Sequence, residues 1–438
     1  LGTTEDALRL LVSLLAGYPL ALVHRTCIYG RNDLIQHLFF AISGLGLGFW
    51  TCGWEVFHTF FAALFTYLTL VLLGGRAVGV AITFLFNMGY LLFGYYYKAT
   101  ERYDINWTTP YCVLVLRLIG LSYDLYDGRQ PMDQLSAENK QTALLMNPSI
   151  LEFLGYAYFP GSCLIGPQFP LRRYQDFVAG NFSDKPSCVE AAVWRFFLAC
   201  LYLCLFQLIG FLVWDEYLLT DEFAQGCFFK RCILLGVWGR YTLYKYITCW
   251  LFVEGACILF GLSHNGTDEN GETKWDGLAN VDLWKLENAT EFNHYIQSFN
   301  INTNHWVGQY VYKRLKFVGN RYVSQGAALL FLAIWHGFHS GYYICFLFEF
   351  LVMYMEKDFQ SLKKSNEALQ NFFKKPPVNI ISYLLLRLYT FVFMGWCLIP
   401  FALLTYERYW KAFGAVNYVG IVFFGVYPFT YGPLLTLL

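Results

Sequence analysis

The sequence predicts an all-α, polytopic membrane protein, a transmembrane helical bundle of about ten or eleven spans plus a re-entrant segment, folded as one membrane-embedded domain over 1–438 around an internal chamber. Three observations predict it. The first is composition: of 438 residues, 57% are hydrophobic and 20% aromatic, and only 14% are charged, where soluble domains carry about 25%. The second is the set of apolar runs near 7–23, 34–51, 54–73, 76–97, 107–125, 191–214, 228–262, 323–355, 380–406 and 412–438, most close to the roughly 20 residues that cross a bilayer core. Two of them, 228–262 and 323–355, are long enough to be tilted, bent or doubled. The third is the stretch ILEFLGYAYFPGSCLIGPQFPLRRY, 150–174, whose apolar residues are interrupted by Gly155, Pro160, Gly161, Gly166, Pro167 and Pro170. Prolines at this density prevent a continuous spanning helix. Broken backbone at membrane depth is tolerated only where protein or a water-filled cavity covers it, so the segment is expected to re-enter and pack against the chamber.

Net charge is zero, and no basic stripe with interleaved aromatics offers a groove for nucleic acid, which is excluded as a partner. The thirteen cysteines are an odd number, lie mostly inside apolar runs and form no C-x-x-C pair. They read as small buried hydrophobes, not as zinc ligands or a disulfide framework.

Two stretches are polar enough to be loops, 126–148 and 263–322. In the second, Trp306, Val307, Tyr310, Val311 and Leu315 recur at helical spacing, with Lys313, Arg314 and Lys316 toward the end, the pattern of an interfacial amphipathic helix. Its basic end and the equally basic loop 356–375 should both face the cytosol. One uninterrupted span between them is then impossible: either 323–355 bends back or the amphipathic helix lies deeper than a loop would. Four sequons, at Asn106, Asn181, Asn265 and Asn288, carry glycans only where they face the lumen. Asn265, in the acidic turn-rich part of 263–322, is the expected one.

The stretch LFLAIWHGFHSGYYICFLFEF, 330–350, carries His336 and His339 inside an apolar run. Were 323–355 one helix, His336 would lie about 20 Å from Val323 and about 28 Å from Met355, near mid-membrane, where an ionisable residue is costly and commonly functional. The competing reading is a neutral core histidine bonded to a backbone carbonyl. A metal site wants three or four ligands, and the next acid, Glu349, is ten positions past His339. Gly337 and Gly341 suggest a close approach to the backbone, or a packing surface. Glu55 with His58, Arg117 with Asp124, Glu254 and Arg387 read as mutual partners or snorkelling chains, and Asp124 and Asp127 as facing water at a helix exit. Asn300, Asn302 and Thr303 are all suitable N-caps for the amphipathic helix.

The pairing of FNINTNHWVGQYVYKRL with AIWHGFHSGYY, 36 positions from Asn300 to His336, resembles the membrane-bound O-acyltransferase family. Within it the likeness is greatest to lysophosphatidylcholine acyltransferases that favour polyunsaturated chains. RLIGLSYDLYDG (117–128), the segment 148–174 and KKPPVN (374–379) extend the likeness over most of the chain. The resemblance implies that His336 is the catalytic residue and Asn300 its partner, with His339 outside the pattern. It implies a reaction chamber reached by acyl-CoA from the cytosol and by a lysophospholipid from the surrounding membrane lipids. Lys313, Arg314 and Lys316 suit the CoA phosphates. No metal and no resident cofactor are expected, acyl-CoA being a co-substrate. The endoplasmic reticulum membrane is the expected location, and a homodimer one expected assembly. Transfer to the sn-2 hydroxyl of a lysophospholipid is the favoured reaction. A sterol, diacylglycerol or protein acceptor stands as the alternative within the family, and a transporter, for which inverted repeats are missing, as the alternative outside it.

Overall fold

The computed structural model describes residues 4–100, 105–182 and 188–435. Helices α1 (Glu5–Val23), α2 (Asp33–Cys52), α3 (Val56–Leu73), α4 (Ala77–Lys98) and α5 (Thr108–Asp127) precede the short α6 (Ala137–Thr142), α7 (Ile150–Ala157) and α8 (Leu171–Val178). Next come α9 (Val189–Leu212), α10 (Asp221–Gln225) and α11 (Phe228–Phe260), then the short α12 (Leu283–Glu287), α13 (Phe292–Ser298) and α14 (Ile301–Val307). The chain continues as α15 (Arg321–His336), α16 (Ser340–Ser365), α17 (Glu367–Lys374), α18 (Val378–Leu403) and α19 (Tyr406–Ala415). Among the described residues there is no β-sheet, and six helical stretches are long and apolar enough to cross a membrane. Contacts divide the chain into two compact units, one of Leu1–Cys200, Thr248–Asn280 and Ile301–Ser324, the other of Leu201–Ile247, Val281–Asn300 and Gln325–Leu438.

In the first unit the segment 150–174 re-enters as expected. Ser149 and Glu152 close a capping box that starts α7, which at eight residues is about 12 Å long and cannot span. It descends beside α2: a Cβ on Gly155 would stand 3.0 Å from the His37 carbonyl oxygen, and one on Gly44 would collide with that of Tyr158. The chain then turns and climbs back, so that the Tyr174 hydroxyl, 2.8 Å from Nδ1 of His37, is again level with the entering arm. Arg117 of α5 holds the turn. Only 1% exposed, its guanidinium donates to the carbonyls of Tyr156 (3.2 Å), Ala157, Ser162 and Pro167 (3.1 Å each) and to the Ser162 hydroxyl. Two of these carbonyls belong to the last turn of α7, where the helix itself leaves acceptors unpaired.

The intramembrane charges do not pair as the sequence suggested. Glu55 meets Lys98, His58 bonds the Tyr90 hydroxyl at 2.7 Å, and Glu254 lies 3.3 Å from Arg195. In the second unit Arg387 donates to Asn288 and Tyr383. Nor do Asp124 and Asp127 face water. They are 1% and 0% exposed, because the chain from α14 onward docks along α5: the Trp306 indole donates to the Leu116 carbonyl (2.9 Å), the Tyr310 hydroxyl to Asp124 (2.6 Å) and Arg314 to Asp127 (2.8 Å). The amphipathic segment thus lies deeper than a surface loop. It is also not one regular helix, since α14 widens into a π-helical stretch, Gly308–Tyr312, and tightens into a 3₁₀ stretch, Lys313–Val318.

Several loops of this unit leave it at one end. Gln36, near the start of α2, bonds the Val178 carbonyl of α8; Arg173 of α8 bonds the carbonyls of Leu262 and His264; Asn147 bonds that of Leu70 near the end of α3; and Gln309 bonds Asn139. Glu55 and Lys98 mark the opposite end.

In the second unit α16, α18 and α19 pack about Trp396, Phe348 and Phe413, and α11 meets α18 so closely that a Cβ on Gly239 would stand 2.6 Å from the Gly395 Cα. The run 323–355 is doubled. Helix α15 stops at His336, Gly337 takes φ +124°, and α16 returns alongside, bringing Met353 to within 3.8 Å of Gln325. At 16 residues α15 is about 24 Å long, short of a hydrocarbon core of about 30 Å, so it does not cross one on its own. Gly341 is the close approach its sequence position suggested: its N–H donates to the Leu404 carbonyl at 3.0 Å, and a Cβ there would clash with that of Pro400.

Candidate active site

His336 ends α15 where the helix breaks. Four rings surround its imidazole: Trp335 at 4.8 Å, Phe401 at 5.0 Å, Tyr342 at 5.4 Å and Phe346, stacked, at 5.6 Å. The side chain is nevertheless only partly buried, and among the described residues it has no hydrogen-bond partner. A histidine kept for structure would be expected to bond a carbonyl. This one presents free ring nitrogens inside an aromatic wall. His339 instead occupies the N-cap position of α16, its ring 6.0 Å from Tyr342.

Asn300 adopts φ +52°, a left-handed conformation that asparagine tolerates better than other non-glycine residues. An N-cap residue is extended, so the capping reading of Asn300 does not describe its backbone. The first amides of α14 are met by a residue that sequence reasoning missed. Asn280 accepts from the Ile301 N–H on its carbonyl and from the Asn302 N–H on its side-chain oxygen, each at 3.0 Å, and its own N–H donates to Glu254 at 2.6 Å. Nothing in the local sequence singles out Asn280, which is fixed by the return of a distant loop.

Asn300 and His336 both belong to the second unit, and they are not bonded to each other. The ring of Phe299 packs edge-on to Tyr246 at 6.4 Å, Tyr246 to Phe401 at 6.4 Å, and Phe401 to His336 at 5.0 Å. The residue beside Asn300 and the imidazole therefore share one aromatic wall. A second tie runs through α16. Both carboxylate oxygens of Glu356 lie 3.0 Å from the Phe292 N–H at the start of α13, and the Tyr389 hydroxyl donates to Glu356 at 3.1 Å. One helix thus packs Tyr342 and Phe346 on His336 and grips the element that leads to Asn300. Glu356 was also missed, being an acid at the edge of an apolar run and indistinguishable there from a solvated one.

Of the basic residues expected at the CoA phosphates, Lys313 pairs with Glu138 and Arg314 with Asp127. The bond from Lys313 holds the Glu138 carboxyl below the usual carboxylate range. Lys316 is exposed and, among the described residues, has no ion-pair partner. Among them too, no group of three or more His, Cys, Asp or Glu side chains could hold a metal.

A histidine at a helix break, without a hydrogen-bond partner among the described residues and set among aromatic rings, marks the candidate site, and the comparisons give the class of the protein. The sequence profile of the membrane-bound O-acyltransferase family matches residues 92–399, which include Asn300 and His336, and the chain belongs to that family. It is 46% identical over 430 residues to lysophospholipid acyltransferase 5 of Drosophila melanogaster, covering 96% of this chain and 86% of that protein. The proteins of the same name from Rattus norvegicus and Homo sapiens are 43% and 40% identical over 428 residues, covering 97% of this chain and 88% of theirs.

Proposed function

We propose that this O-acyltransferase moves a fatty acyl group from acyl-CoA to the sn-2 hydroxyl of a lysophospholipid such as lysophosphatidylcholine, with a preference for polyunsaturated chains, in the endoplasmic reticulum membrane. The observation that carries the reading is His336: partly exposed, without a hydrogen-bond partner among the described residues, at the break between α15 and α16, in a chain whose relatives are named for this acceptor class. Neutral imidazole is the natural base for an alcohol near pH 7. As the acceptor oxygen attacks the thioester carbonyl, its proton passes to His336. The C–S bond then breaks, and the departing thiolate takes that proton, leaving ester and free CoA. The Asn300 carboxamide N–H donates to the oxygen that becomes negative, a role worth about 3–4 kcal/mol when a single donor is removed. Lys316, with Lys313 and Arg314, would meet the CoA phosphates.

The test is CoA release by purified protein in detergent, with and without lysophosphatidylcholine, and with a sterol or diacylglycerol in its place. Release should require the lysophospholipid. His336→Ala should abolish it without loss of monodispersity, whereas His339→Ala and chelator treatment should leave substantial activity. Equal loss in both histidine variants would favour a two-histidine metal site, and activity surviving in His336→Ala would sink the mechanism.

A further inference from the structure

Glu349 is the acid that the mechanism leaves unused. On α16, Tyr342, Phe346, Glu349 and Met353 stand at i, i+4, i+7 and i+11, one face of the helix. The first two rings lie against His336. Glu349 is about 4.5 Å further along the axis than Phe346, with Cys345 and, across on α18, Cys397 within electrostatic reach. Phe401, one turn beyond Cys397 on α18, is the ring edge-on to His336. On both helices a ring lies on the histidine and a residue about one turn away, Glu349 itself on α16 and Cys397 on α18, lies toward the acid. Among the described residues Glu349 has neither a hydrogen-bond nor an ion-pair partner, and it keeps partial exposure. Glu356 on the same face is bonded twice over. A charged side chain away from water is costly and is normally paired, so an unpaired one a turn from a ring that lies on His336 leaves room for a ligand's charge.

We propose that Glu349 binds the cationic nitrogen of the acceptor headgroup, a quaternary or primary ammonium. The proposal rests on His336 receiving the acceptor hydroxyl. With that hydroxyl at the imidazole, the headgroup nitrogen is only a short glycerophosphate link away and cannot remain in bulk water. A carboxylate one turn from Phe346, whose ring lies on His336, offers an alkylammonium ion pairing, with cation–π attraction from the nearby ring.

The experiment compares lysophosphatidylcholine with lysophosphatidylglycerol, which lacks the cation, as acceptors for purified wild type and Glu349→Gln. The ratio of their kcat/KM values should fall by about tenfold or more in Glu349→Gln, chiefly through KM for the choline acceptor, as expected for losing one charge pair. Glu349→Asp should retain most of the preference. A measurement on the wild type alone keeps the test open if the variants do not fold: soluble glycerophosphocholine should compete with lysophosphatidylcholine better than glycerophosphoglycerol does. An unchanged ratio in Glu349→Gln, or equal inhibition by the two soluble headgroups, overturns the proposal. Transfer persisting in His336→Ala would overturn the catalytic assignment instead, an outcome read from a separate variant.

Discussion

The backbone of Asn300 permits a substitution test sharper than removal of the side chain alone. At φ +52° a residue with a Cβ pays roughly 1–2 kcal/mol unless it is Asn or Asp, and glycine adopts the conformation at no steric cost. Asn300→Gly therefore keeps the chain path and deletes only the carboxamide. Asn300→Asp keeps shape and conformation but exchanges an N–H donor for a negative oxygen beside the developing oxyanion. Asn300→Ser both strains the backbone and falls short of the site. If the carboxamide stabilises the oxyanion, Gly and Asp should each lose about 100-fold or more in turnover, or 2.7–4 kcal/mol. Ser should lose as much activity and some stability as well. The assay is steady-state CoA release in reconstituted membranes, paired with a thermal melt. Asn300→Gly turning over at near the wild-type rate would refute the reasoning.

Two further outcomes are expected. Arg117→Lys offers at most three donors where four guanidinium N–H serve five acceptors; at about 1.5–3 kcal/mol for each charged bond, losing one should lower the melting temperature clearly, and an unshifted melt would show that the turn of the re-entrant segment does not depend on Arg117. Asn265 should carry no glycan, because its loop is bound through Arg173 to the end of the first unit that also bears Arg31, Arg76, Arg129, Lys140, Lys313 and Lys316, the end that the positive-inside rule turns to the cytosol. A mass shift on glycosidase treatment that is lost in Asn265→Gln would reverse this orientation.

What was legible in the sequence was whatever local periodicity or backbone chemistry dictates. The proline-broken re-entrant segment, the doubling of 323–355 and the close approach at Gly341 follow from the conformational limits of proline and glycine and from the length of an apolar run. The partners of buried charges were not legible. Arg117 and Asp124 lie seven positions apart on one helix, which made them look like a pair, but a charge finds whichever group the tertiary fold returns to it. For Arg117 that group is a turn of carbonyls some forty to fifty positions away, and for Asp124 a tyrosine 186 positions away. The same holds for Asn300, whose suitability as a cap was a statement about residue type, while Asn280 performs the capping from a distant loop.

The contrast between Glu356 and Glu349 shows how structure can sort residues that sequence leaves alike. Both are acids on the same face of α16, seven positions apart, and either could have been a snorkelling side chain. Glu356 accepts from the Phe292 amide and the Tyr389 hydroxyl, so its charge is spent inside the protein, on holding α13 and the chain that leads to Asn300. Glu349 lies closer to the rings around His336 and has no such bonds. An acid whose partners are all protein groups is an element of the fold. One that lies a turn from the rings around His336 and, among the described residues, is completed by no protein group is the acid the acceptor headgroup would meet.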